Sequence, residues 1–259
     1  RYSHVIVDES QDMPGPLLQI IERGRQVLIT LGDEYQRADG PGLRRARQVR
    51  QRDIAFSVRC GPKVERLINP LIGVHSQKSK LAFEGAGSVD VGIEHYTLDF
   101  VPPQGCVVLT ASPWDSMKWA MQLADNQCRV GFSDNVGMQR FMSSAVQLFR
   151  ADLYGAGSDG QDTHAYFAHA LNWRQVHEDN RFDESFLWVE ARLQDGFRIA
   201  ELNALSARFS NQPDSLLLMP AQEAGGPDFD HVLLTQELMA LNPFKDAYAF
   251  DNRVCAVYI

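Results

Sequence analysis

"HVIVDESQDMPGP", residues 4–16, decides how this chain is read. An apolar strand core, Val5 to Val7, runs straight into Asp8 and Glu9. Gln11 and Asp12 follow before Pro14 and Gly15 break the chain. A carboxylate at the end of a buried strand is costly unless it stays solvated or meets a cation or a metal. Taken alone, the Asp8-Glu9 pair reads as a strand closing in a solvated acidic turn. What surrounds it supplies the other possibility.

Leu17, Ile20 and Ile21 fall at i, i+3 and i+4, which predicts a short amphipathic helix after Pro16. "QVLITLGDE", residues 26–34, is a second apolar strand and again ends in glycine and acids. Strand, helix and strand at this spacing predict a parallel βαβ unit. Both acidic ends then lie at the carboxyl ends of neighbouring strands, where α/β sheets bind ligands.

Further along, Val64, Leu67, Ile68, Leu71 and Ile72 predict one helical face with a kink at Pro70, and residues 77–92 read as loop. Cys106 to Thr110 reads as a strand. A Ser-Pro helix start follows, leading into a helix whose Met117, Met121 and Leu123 are ordinary core material. Met138, Phe141, Met142, Ala145 and Phe149 mark another helix. From 157 to 212 the chain turns polar and predicts three short helices, roughly 161–175, 182–194 and 197–209. "SLLLMP" and "FDHVLLTQ" then restore strand character. The expected organisation is a helical insert between two α/β stretches.

Composition sets the outer bounds. With 44% hydrophobic and 22% charged residues, the 259-residue chain belongs with folded proteins, not disordered ones. No run approaches the ~18 apolar residues of a spanning helix, so no membrane association is expected. Cys60, Cys106, Cys128 and Cys255 are widely spaced and form no CxxC, which points to reduced thiols and a cytoplasmic setting, or a nuclear one in a eukaryote. The seven histidines show no metal-ligand spacing, and His4 and His231 read as core or strand-edge residues. Net charge is −8, yet residues 1–72 carry twelve Lys and Arg against nine Asp and Glu. The basic cluster Arg44, Arg45, Arg47, Arg50 and Arg52 lies in that part. Nucleic-acid binding depends on such local charge, although a cluster of this kind is often only a solvated helix face.

These stretches together carry a family likeness. "VIVDESQD" resembles motif II of superfamily 1 helicases of the UvrD/Rep/PcrA type, and "LITLGDEYQ" resembles their motif III. "FSVRCG" stands in the place of motif IV, and "GPDFDHVLL" resembles the end of motif V. Order and spacing match over nearly the whole chain, and the short insert resembles the compact F-box DNA helicase branch.

The resemblance implies an α/β fold of RecA-like P-loop NTPase motor domains, the first one partial, with a small helical insertion. Residues 1–58 would be the back of the first motor domain. The second would comprise 59–155 and a truncated 213–259, with 156–212 as a helical accessory insertion. The implied activity is ATP-driven 3′–5′ translocation on single-stranded DNA, with Mg²⁺ as the metal, a DNA-repair type of role, and a protein recruiter of unknown identity.

In such motors Asp8 would hold Mg²⁺ and Glu9 would act as general base on the attacking water. Gln36 would sense the γ-phosphate, and Arg59 would stabilise charge on the transferring phosphoryl. Gln11 and Asp228 would contact the nucleotide, Asp228 in the place of the usual Glu beside the sugar. Arg44 and Arg45 would meet DNA phosphates.

The sequence also departs from the family. No G-x-x-x-x-G-K-[ST] occurs, so the phosphate loop is absent from these residues. "RADGPGLR" follows Gln36 where an aromatic and an FRGA-like run are usual. "PAQEAGG" replaces the T-x-H-x-x-K-G opening of motif V, and "NRVCAVYI" stops before the expected motif VI arginine. The expectation is a fragment whose natural beginning lies upstream, inactive by itself. The rival expectation is a degenerate helicase-like module that binds nucleic acid or a protein without hydrolysing ATP. An unrelated nucleotide-binding α/β domain is a third, which the motif order disfavours.

Overall fold

The computed structural model describes residues 2–33, 50, 52–72, 81–97, 100–151, 163–225 and 227–238. Gln36, Arg44 and Arg45 lie outside the described residues, as does Cys255. The protein is mixed α/β and forms two compact units that meet in sequence at Tyr96 and Thr97.

In the first unit, β1 (His4–Val7) and β2 (Val27–Thr30) pair in parallel, His4 opposite Val27 and Val7 opposite Thr30. Helix α1 (Gly15–Glu22) joins them, with Pro16 in its first turn, where a missing N–H costs nothing. This is the βαβ unit expected from the spacing. The strands are less buried than expected, however. Val7 and α1's Leu18 are buried, whereas Ile6 is 65% exposed and Ile29 44% exposed. Side chains alternate across a strand, so Ile6, Val27 and Ile29 share the opposite face from Val7.

The same unit contains β3 (Phe56–Ser57) and β4 (Glu84–Gly85), a short parallel pair, and α2 (Pro62–Ile72). Asn69 clamps the approach to β4: its Nδ2 donates to the Phe83 carbonyl and its Oδ1 accepts from the Phe83 N–H, both at 2.9 Å. Glu65 accepts from the Gly85 N–H at 2.9 Å. Ile68 and Ile72 are buried, with Val64 and Phe83 packed against them. Val64, Ile68 and Ile72 of the helical face read from the sequence are packed, whereas Leu67 is 45% exposed.

The second unit is built on a four-stranded parallel sheet. Its strands are β5 (Val107–Thr110), β6 (Val130–Phe132), β7 (Leu216–Pro220) and β8 (Val232–Leu234), in spatial order β6-β7-β5-β8. A parallel sheet needs cover on its faces, and its inner strands read as continuous apolar runs for that reason. Val108 and Leu218 are fully buried. Helices α3 (Pro113–Asp125) and α4 (Asn135–Phe149) follow β5 and β6. Each is capped by a side chain, Ser112 accepting from the Asp115 N–H and Asp134 from the Gly137 N–H.

Among the described residues the unit also has three shorter helices: α5 (Trp173–Asn180), α6 (Glu184–Gln194) and α7 (Ile199–Ser206). The last two match the expected 182–194 and 197–209. The first differs. Instead of a helix over 161–175, a 3-10 turn spans Ala165–Phe167, and α5 starts only after Asn172, whose side chain caps it. The aromatic groups of this region converge on buried Trp114. Phe141 and Phe186 meet it edge-on at 4.8 and 5.0 Å, and its Nε1 donates to the Tyr166 hydroxyl.

Candidate functional site

The chain leaves β1 through a turn that the sequence alone does not specify. Asp8 is exposed, its Oδ1 accepting from the Glu9 N–H at 3.0 Å. Glu9 then adopts the left-handed conformation, φ 47° and ψ 43°. That region costs an L-residue with a Cβ about 1–2 kcal/mol. Strain of this kind persists where surrounding contacts over-determine it, and it gathers at functional sites.

Here the contacts are visible. Ser10 and Gln11 open a 3-10 turn, Ser10–Asp12, and both side chains are buried. The Ser10 N–H donates to the Leu31 carbonyl at 2.8 Å, extending the pairing of the strands past their ends. Gln11 does more. Its Nε2 donates to Glu9 Oε2 at 2.6 Å, and its Oε1 accepts from the Asp33 N–H at 3.1 Å. One buried amide thus fastens the acidic turn after β1 to Asp33, just past the end of β2.

Gly32 makes that approach possible. A Cβ at this position would lie 2.5 Å from Gln11 Oε1 and 2.7 Å from Ser10 Oγ. The glycine of "LGDE" is therefore a contact requirement, not a matter of flexibility. Sequence reasoning assigned Gln11 to nucleotide contact and gave Ser10 no role. Their burial between two strand ends is the tertiary feature that links the two motifs.

The remaining candidates are placed as follows. Arg59 is exposed on the turn between β3 and α2, in the same unit as Asp8 and Glu9. Asp228 is exposed on the segment leading into β8, in the second unit. Gln36, Arg44 and Arg45 fall outside the described residues.

Among the described residues no group of three or more His, Cys, Asp or Glu is placed to hold a metal ion. A lone exposed carboxylate is nonetheless a fitting donor for Mg²⁺, which takes one or two carboxylates and completes its shell with water and phosphate. No described helix is long and apolar enough to cross a membrane. Cys60, Cys106 and Cys128 are free thiols.

No protein-family model matches the chain, and no curated protein matches its sequence.

Proposed function

We propose that this chain is the part of an ATP-dependent 3′–5′ DNA helicase or translocase that runs from the metal-binding strand end to the second motor domain, with RecA-like α/β architecture. The observation that carries the reading is the Gln11 bridge. Two acidic strand ends are fastened together by one buried amide, with Glu9 held in a strained conformation at the tip. A solvated acidic turn has no need of such a brace.

In this account Mg²⁺-ATP supplies the phosphoryl group whose transfer to water drives movement. Asp8 would hold the metal. Glu9 would accept the water's proton through Oε1, because Oε2 is engaged by Gln11. Gln11 acts through Glu9, fixing its carboxylate to the β2 end, so that displacement of the Asp33 turn would be felt at the base. Arg59 would stabilise phosphoryl charge. Gln36 would report nucleotide state, and Asp228 would contact the sugar. Arg44 and Arg45 would bind the single strand through its phosphates.

The test uses the complete gene product. Single-stranded DNA should stimulate its ATP hydrolysis, and Arg44→Ala with Arg45→Ala should weaken DNA binding and flatten its salt dependence. Tight single-strand binding without any DNA-dependent ATPase would replace the motor by the degenerate binding module.

A further inference from the structure

The second unit holds a buried polar cluster that the proposed motor chemistry does not use. Asp115, in the first turn of α3, is fully buried. Its Oδ2 accepts from the Thr235 hydroxyl at 2.6 Å and from the Ala111 N–H at 2.9 Å. Its Oδ1 meets the Ser185 hydroxyl at 3.4 Å. Ser185 belongs to the first turn of α6 and also hydrogen-bonds Glu237. Glu237 lies in the turn after β8 and pairs with Lys118, one turn further along α3. A second bridge runs beside the first: the Ser112 hydroxyl accepts from the Asp115 N–H and donates to Asp183, which caps α6.

Three segments therefore meet at two carboxylates, one ammonium and one shared hydroxyl. The charges facing Asp115 are Glu237 and Lys118. With both carboxylates ionised, the single Ser185 proton satisfies only one of them, and Lys118 balances only one charge. A proton on Asp115 Oδ1 resolves this. Asp115 then donates to Ser185, Ser185 donates to Glu237, and Glu237 pairs with Lys118, so each link of the relay runs from a donor to an acceptor.

We propose that Asp115, Ser185 and Glu237 form a one-proton latch that docks the start of α6 against the β5–α3 turn and the exit of β8, closed while Asp115 holds its proton and loosened when the proton leaves. The inference is independent of the function proposed above.

The electrostatics agree. Burial, and then the nearby Glu237 charge, push the Asp115 carboxyl up to about 7 from its ordinary 3.8. Burial opposes the charge on Glu237 too, yet the hydrogen bond and charge of Lys118 hold it below its ordinary value. A carboxyl whose folded value exceeds its unfolded value stabilises the fold below the unfolded value, and loses that contribution as pH rises through the folded one.

The test measures urea unfolding of wild type and Asp115→Asn from about pH 5 to about pH 8.5, with carbon-13 titration of the Asp115 carboxyl in the wild type. The wild type's stability relative to the variant should shrink as pH rises and level off above about 7. The carboxyl should titrate near 7, and Glu237→Gln should shift that midpoint downward. Protection of the Phe186 amide should fall with Asp115 ionisation. A stability difference independent of pH would overturn the latch, as would an Asp115 midpoint in the ordinary carboxylate range. Should Asp115→Asn fail to fold, the wild-type titration and its response to Glu237→Gln decide alone.

Discussion

Gln11 Nε2 lies 2.6 Å from Glu9 Oε2, and the same side chain accepts the backbone N–H of Asp33 at 3.1 Å, so the carboxylate at one strand end is held by the backbone of the next. Glu9 is exposed while Gln11 is 5% exposed, which makes the amide a support and the carboxylate the presented group.

Removing the support should cost stability as well as function. Gln11→Ala leaves the Asp33 N–H without this acceptor and Glu9 without its donor. Glu9 is exposed and Asp33 only partly buried, so each lost hydrogen bond costs about 0.5–1.5 kcal/mol net. Urea unfolding should show a loss of stability of that size, read as a lower midpoint at unchanged m, and in the complete gene product turnover should fall while nucleotide binding persists. An unchanged midpoint would show that the bridge contributes nothing to the fold.

Gly32→Ala should be destabilising although alanine is a better chain former. The new Cβ would fall within 3 Å of both Gln11 Oε1 and Ser10 Oγ, so these side chains must give way and the Gln11 bridge with them. Overpacking of this kind costs about 1–3 kcal/mol. Pairing the change with Gln11→Ala should recover part of the loss, which a double-mutant cycle by urea unfolding reads directly.

Position 9 should invert the usual ranking of glycine and alanine. Glu9→Gly and Glu9→Ala both lose the Gln11 bond, but only alanine keeps a Cβ at φ 47°. The glycine variant should be the more stable by about 1 kcal/mol in equilibrium unfolding, and both should be inactive in the complete protein. Greater stability of the alanine variant would mean that the turn relaxes out of the left-handed region.

Much of this was legible in the residues. The βαβ unit followed from two apolar runs ending in acids at helix-length spacing, and the Val64, Ile68 and Ile72 part of the α2 face from its i, i+4, i+8 pattern, although Leu67 of the same reading is exposed. The α3 cap was readable in the Ser-Pro start. Strand β6 was not, because Val130–Phe132 is three residues long with Gly131 in the middle and shows no alternation. The helix expected over 161–175 carried enough apolar residues, but Asn172 caps the backbone at a later start. The openness of the β1–β2 face escaped the sequence too, since an apolar run indicates burial without saying which side receives it. Gln11 illustrates the deeper limit. The family resemblance implied a nucleotide contact for Gln11, and its protein partners, Glu9 and the Asp33 amide, are set by strand register, which no single stretch of sequence displays.

The most direct test of the motor reading is Glu9→Gln in the complete gene product, measured as ATP hydrolysis with and without single-stranded DNA beside direct nucleotide binding. The substituted amide is isosteric and its oxygen still accepts from Gln11 Nε2, so the fold and the bridge remain. Turnover should fall by roughly 10²–10⁴-fold, the loss expected for a general base, with nucleotide affinity nearly unchanged. DNA-stimulated hydrolysis at the wild-type rate in Glu9→Gln would contradict the account.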